Sequence, residues 1–320
     1  MSGPVVAVLG PTASGKSALG LALAERLGGE IINCDSTAVY RGFDIGTDKV
    51  ALEDQRGIAH HLIDVADPAV PYTAARFAAD AARCIREIHE RGHIPFLVGG
   101  TGFYYRALTR GLFPGPAADK GLRTRLNHVA DRRGVEALHR WLARVDAPSA
   151  ARIMPRDRMR LVRALEVYLL TGRALTTHFE ATASPIADCT VVALALRIPV
   201  AETEARVARR VDAQFARGVV AEVEALLTGG LPADARPLRG LVYRQIMEMR
   251  AGIRDLAATR ALIVQQNRRY ARRQLIWFRK EPNLVWLDGA GETEQTLGAA
   301  LAMLRARGIP QEGTLTDGSR

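Results

Sequence analysis

The chain has 320 residues, 48% of them hydrophobic and 24% charged, with a formal net charge of +10. That composition excludes a disordered or fibrous chain and suffices for one large α/β domain or two smaller ones. No apolar run approaches the ~18 residues of a membrane span, and the apolar start is too short for a secretory leader, so a cytoplasmic protein without a membrane partner is expected. Nothing in the sequence marks an obligate protein partner.

Residues 5–9 (VVAVL) read as a short buried strand. They run into Gly10, Pro11, Thr12, Ala13, Ser14, Gly15, Lys16 and Ser17. This fits the G-x-x-x-x-G-K-[ST] pattern in the strand-to-helix setting that gives it meaning. The glycines let several N–H groups turn inward, the following helix adds its positive end, and Lys16 adds a full charge. The Ser17 hydroxyl is the expected Mg2+ ligand. Such a loop grips a nucleotide polyphosphate or a diphosphate, and does not say what chemistry follows.

Residues 30–34 read as a second strand ending at Asp35, and 60–65 as a third. A helix over 72–91 follows from the spacing of Phe77, Ala81, Cys84, Ile85 and Ile88. Residues 95–98 form another strand, broken by Gly99, Gly100, Thr101 and Gly102. This alternation predicts a parallel sheet flanked by helices, with ligands beyond the carboxyl ends of the strands. The phosphate loop, Asp35 and Thr101 all fall there.

From about 119 to 184 only helices are legible, at 122–133, 135–144, 147–153 and 158–170. Residues 190–198 return to a strand. One long helix is expected over 201–227, with Gly218 costing roughly 1 kcal/mol within it. A second long helix is expected over 256–280, then a strand at 284–287 and a covering helix at 292–307. The expected division is an α/β core over 1–116 and 189–307, an all-helical insertion over 117–188, and a disordered tail over 308–320.

Between 244 and 280 there are ten Arg or Lys against two acids, Glu248 and Asp255, which favours a polyanionic partner, nucleic acid first. Cys34, Cys84 and Cys189 are far apart with no C-x-x-C spacing, so neither a zinc site nor a disulfide framework is expected. His60, His61 and the other histidines lack metal-ligand spacing and read as structural.

Several residues carry candidate chemistry. Asp35 could take a proton from an attacking amine or hydroxyl, or hold Mg2+ beside Ser17; the plain alternative is a turn or N-cap aspartate. Thr101 places a hydroxyl among glycines, or simply closes a strand–helix turn. Arg206 and Arg210 share a helix face, with Arg209 beside them, and could meet a diphosphate or form an exposed charged face. Tyr270, Trp277 and Phe278 alternate with Arg272, Arg273 and Arg279; Phe278 reads as core, and Trp277 stays open between core and base stacking.

The motifs GPTASGKS (10–17), DSTAVYRGFDIGTDK (35–49), HHLID (60–64), GGTGFYYRAL (99–108), DRMRLVRALEVYLLTG (157–172), RVARRVDAQFARGVVAEVEAL (206–226) and ARRQLIWFR (271–279) occur in that order. Together they resemble the tRNA dimethylallyltransferases, over about residues 4 to 288. The resemblance implies a P-loop kinase-like α/β fold with a helical insertion. It also implies transfer of a dimethylallyl group from dimethylallyl diphosphate to N6 of the adenosine 3′ of the tRNA anticodon. Residues 10–17, with Mg2+ at Ser17, would clamp the diphosphate, and Arg210 would reach it. Asp35 would be the general base, and Thr101 would orient the reacting groups. Implied tRNA contacts are Asp35, Ser36, Thr37, Ala38, Thr101, Arg123, Met159, Arg160, Leu161, Val162, Arg163, Arg273 and Trp277. The sequence departs from the family pattern at Ala38 and Met159, usually Gln, at Arg156, usually Asn, and at Val242, usually Gly. The alternatives are prenyl transfer to free AMP or ADP, a small-molecule kinase holding ATP in the same loop, and a nucleic-acid-binding protein without turnover.

Overall fold

The computed structural model describes residues 3–113 and 115–309. The chain forms two compact units, one from residues up to Thr109 and from Ile186 onward, the other Arg110–Pro185.

In the first unit, β1 (Pro4–Leu9) leads through the phosphate loop into α1 (Lys16–Leu27). Then come β2 (Gly29–Asn33), β3 (His60–His61), α2 (Ala74–Glu90), β4 (Ile94–Gly99) and α3 (Gly102–Arg110). The strands form one sheet in the order β3-β2-β4-β1-β5-β6, with β5 spanning Thr190–Arg197 and β6 Leu284–Asp288. Every pairing is parallel, and β1 lies between β4 and β5. A central strand covered on both faces must be apolar throughout, and Val5 to Leu9 are fully buried. Leu19, Leu23, Leu27, Leu297 and Leu304 pack against one face of this sheet, bringing α1 together with α13 (Glu294–Arg305).

The remaining helices of this unit are α9 (Val200–Ala216), α10 (Val219–Thr228), α11 (Leu241–Arg250) and α12 (Leu256–Phe278). The single helix expected over 201–227 is two. Gly218 takes φ 90° in the left-handed region, so it ends the α9 segment and starts α10 rather than being carried inside one helix. The third strand is shorter than expected, two residues pairing with Ile31 and Ile32.

The second unit holds α4 (Lys120–Arg133), α5 (Val135–Val145), α6 (Ala147–Arg152), α7 (Arg158–Thr171) and α8 (Leu175–Glu180). Its core joins Leu122, Leu126, Leu138, Leu142, Leu161 and Leu165. Glu166 is fully buried there and accepts from Arg123, Arg163 and the Asp119 N–H. Burial alone would raise the Glu166 pKa, but its hydrogen bonds with both arginines outweigh that and hold it low. The unit begins at 110 rather than 117 because its leading segment packs on α8 and the residues after it. Phe113 stacks on His178 with ring centroids 4.0 Å apart, and a Cβ on Gly111 would meet the Ala183 carbonyl oxygen at 2.1 Å. It ends at Pro185, ahead of the expected 188. Most of the expected tail, from 310 on, lies outside the described residues.

Candidate active site

The site grows from the carboxyl end of β1. Past Leu9 the chain curls so that the Ser14 hydroxyl and the Lys16 ammonium both donate to the Pro11 carbonyl, at 2.8 and 2.6 Å. Gly15 caps α1 in the left-handed conformation, with φ 85°. These constraints leave Lys16 and Ser17 on the wall of a cavity of about 330 Å3, within the ~300–1,000 Å3 typical of small-molecule sites. The Lys16 pKa is pushed down to about 7, chiefly by burial and then by the positive charge of Arg210, with Asp35 opposing. A cation held on one carbonyl and short of counter-charge is poised for an anion.

Asp35, Ala38, Arg210, Val242 and Tyr270 line the same cavity. Asp35 follows β2, and its two oxygens differ. Oδ1 accepts from the Thr37 N–H at 2.8 Å, the Thr37 hydroxyl at 2.6 Å and the Ala38 N–H at 3.4 Å. Among the described residues no hydrogen bond reaches Oδ2. Oδ1 is thus a turn cap, and Oδ2 is left free of such bonds. Thr101 turns its hydroxyl to the same turn, accepting from the Ser36 N–H at 3.0 Å. It therefore holds the Asp35 segment in place.

Arg210 reaches the cavity from α9, gripped by the Asp48 carboxylate and donating to the Thr47 carbonyl at 3.2 Å. Arg206 is drawn instead to Glu202 at 2.8 Å and Glu292 at 2.5 Å, so of the two arginines on that face Arg210 is the one on the cavity wall. Gln274 of α12 bridges the phosphate loop and the G-G-T-G turn, accepting from the Thr12 N–H and donating to the Gly100 carbonyl, both at 2.8 Å. Burial first, and then the charge of Asp35, raise the Tyr270 phenol pKa and keep it protonated.

Asp48 and Gln274 do not stand out in the sequence, and neither does Glu222. Glu222 accepts from the N–H groups of Asp44, Ile45 and Gly46 and from the Tyr243 hydroxyl, fixing the loop that carries Asp48. The available signal for Gln274 was a glutamine on the buried stripe of α12, beside Ala271 and Phe278.

The other predicted residues separate by environment. Phe278 is core, and Trp277 lies half-buried over Gly102 with the Arg106 guanidinium 4.6 Å from its ring centroid. Arg273 is exposed, 5.7 Å from the Tyr270 ring centroid. In the helical unit Met159 is 83% exposed and Arg160 pairs loosely with Asp157. Arg123 and Arg163 direct their guanidinium groups at Glu166. Leu161 and Val162 have both side chains buried in that unit's core, because α7 turns this face inward.

Could the site hold Mg2+? Ser17 is exposed on the cavity wall, and among the described residues no cluster of three His, Cys, Asp or Glu could cage a metal. One hydroxyl with a nearby carboxylate suits Mg2+, which keeps waters and takes its other ligands from substrate phosphates. The residues fit.

Fold and site define a phosphate-loop α/β enzyme carrying a helical unit. The family pattern for IPP transferase matches residues 38–281, and the chain belongs to that family. It is 47% identical over 300 residues to the tRNA dimethylallyltransferase of Geobacter metallireducens, covering 93% of this chain and 96% of that protein. The full-length tRNA isopentenylpyrophosphate transferase of Bacillus halodurans superposes with a TM-score of 0.70 at 35% identity, over 96% of each chain. A eukaryotic dimethylallyltransferase acting on tRNA shares the fold, with a TM-score of 0.78 at 24% identity over 98% of this chain and 82% of that one. No described helix is long and apolar enough to cross a membrane.

Proposed function

We propose that this enzyme transfers the dimethylallyl group of dimethylallyl diphosphate to N6 of the adenosine 3′ of the anticodon in tRNA. The observation that carries the reading is one cavity wall holding Lys16, Ser17 and Arg210 together with Asp35, whose Oδ2 is uncommitted. An anion clamp and a free carboxylate oxygen on one cavity suit attack by an amine on a carbon bearing a diphosphate.

In the reaction the adenine N6 bonds to the allylic carbon as that carbon's bond to the diphosphate oxygen breaks. The N6 proton passes to Asp35 Oδ2, and inorganic pyrophosphate leaves. Negative charge develops on the leaving group, where Lys16 and Arg210 on the cavity wall await it. Ser17 would hold Mg2+, which would supply further charge neutralisation. The target base must be turned out of the stacked loop to enter such a cavity.

The RNA side draws on α12. Arg269, Arg272, Arg273, Arg279 and Lys280 are exposed, and among the described residues none has an acidic partner. Arg269, Arg272 and Arg273 share one face of α12, and Arg279 and Lys280 follow just past its end, a track suited to phosphates.

The test offers labelled dimethylallyl diphosphate with unmodified tRNA, with AMP, and with ATP plus candidate acceptors. Label on tRNA alone is the expected result. Label on AMP, or phosphate transfer from ATP, would replace this reading.

A further inference from the structure

We infer that Gln274 is a positioning residue for prenyl transfer, its one buried amide setting the gap between the diphosphate loop and the turn that presents Asp35. The inference rests on the transfer reaction proposed above.

The backbone explains why such a link is needed. The β1–β4 ladder ends at the pair Leu9 and Gly99. Immediately beyond it, β1 becomes the phosphate loop and β4 becomes the G-G-T-G turn. Gln274 takes over where the ladder stops: Oε1 accepts from the Thr12 N–H, and Nε2 donates to the Gly100 carbonyl. The amide orientation follows from its partners, since an N–H requires an acceptor and a carbonyl requires a donor. Gln274 is only 7% exposed, and a Cβ on Gly100 would lie 2.4 Å from Nε2, so residue 100 must lack a side chain for the bridge to form.

The link continues to the carboxylate. Thr101, next to Gly100, donates its N–H to the Cys34 carbonyl at 3.1 Å and accepts from the Ser36 N–H through its hydroxyl. Thus one side chain ties the loop for the leaving group to the backbone on both sides of Asp35. A carboxylate at 274 would lack the donor, a lysine the acceptor, and an aliphatic chain both. A loosened bridge would leave each substrate's own contacts in place while widening the spread of nucleophile–electrophile distances. Such misplacement slows chemistry more than it weakens binding.

The experiment uses the full chain with Gln274→Met and Gln274→Glu. Dissociation constants are measured for inorganic pyrophosphate and for an unmodified anticodon stem-loop RNA, and the single-turnover transfer rate is measured at saturation. For Gln274→Met we expect both constants within about threefold of wild type and a rate roughly 100-fold lower. For Gln274→Glu we expect the rate relative to wild type to recover as pH falls from about 8 to about 5.5, because the protonated carboxyl again offers one donor and one acceptor. Amide exchange at Thr12 should be faster in Gln274→Met than in wild type. A Met variant with near-wild-type rate, a loss matched by weaker binding, a Glu variant whose relative rate ignores pH, or unchanged Thr12 exchange would each overturn the assignment. Failure of wild type to label RNA would instead overturn the transfer reading, while the exchange measurement still judges the bridge.

Discussion

Arg210 does not reach the cavity unsupported: Asp48 grips its guanidinium from behind, and Asp48 is itself held by Gln214 and Arg217, each at 3.1 Å. Asp48 has φ 51°, a left-handed conformation that a non-glycine residue adopts only when its surroundings enforce it. Glu222 enforces it by capping the three N–H groups at 44–46. Asp48→Asn keeps the side-chain shape and removes the charge. The KM for dimethylallyl diphosphate should rise about tenfold, roughly 1.4 kcal/mol. The dissociation constant for stem-loop RNA should stay unchanged. Steady-state kinetics with each substrate varied in turn checks both.

The two oxygens of Asp35 separate structure from chemistry. Asp35→Asn can keep an oxygen on the Thr37 amide, whereas Asp35→Ala loses the turn cap as well. Both should lower the transfer rate by ~10²–10⁴, the usual contribution of a general base. Only the Ala variant should lose about 1 kcal/mol of stability, as capping residues do. Single-turnover rates paired with denaturant melts distinguish the two effects.

Lys16 should make diphosphate binding pH-dependent. With its pKa near 7, it loses its charge as pH rises above that value, so pyrophosphate affinity should fall from about pH 7 upward, with a proton taken up on binding. The same depressed pKa means that the unfolded chain, with an ordinary lysine, binds more protons between about 7 and 10, so this group makes stability rise with pH there. Lys16→Met should abolish pyrophosphate binding, flatten that slope and leave RNA binding intact. Calorimetry in buffers of different ionisation enthalpy reads the proton uptake.

The basic face of α12 should appear in the salt dependence of RNA binding. Replacing Arg272, Arg273 or Arg279 by Gln should each lower the salt slope by about 1 if the residue meets a phosphate. Arg260, paired with Asp212 at 2.6 Å, is the internal control and should change it little. Binding isotherms at several salt concentrations supply the slopes.

Glu30 predicts acid sensitivity away from the site. Hydrogen bonding to Arg91 holds its pKa at about 2, burial opposing and His61 and His93 assisting. A carboxylate depressed in the folded state contributes stability above its unfolded pKa and loses it as pH falls. Melting temperature should therefore drop between about pH 5 and about pH 2, and Glu30→Gln should flatten that drop while lowering the plateau. Thermal melts across that range decide it.

The first half of the fold was legible because its signals are contiguous: an apolar run, a glycine loop and an amphipathic helix sit side by side. The phosphate loop and Asp35 could be placed from strand ends alone. Asp48, Glu222 and Gln274 could not, because what makes them matter is a partner far along the chain; Gln274 and Thr12 are 262 residues apart. Gly218 was misread because one glycine in a long apolar pattern looks tolerable until its φ is known. α8 escaped notice since six residues carry too little periodicity to stand out. Leu161 and Val162 came with a motif, and a motif does not tell which of its side chains turn inward.

The place of β1 in the sheet has a consequence for biosynthesis. It leaves the ribosome well ahead of its neighbour β5, which pairs with it through Thr190 and the residues after it. At about 5–20 residues per second, roughly 10–40 s pass before that edge is filled. Throughout that interval an apolar strand stands with open hydrogen-bonding groups, so the nascent chain should be a client of ribosome-associated chaperones until its second half arrives.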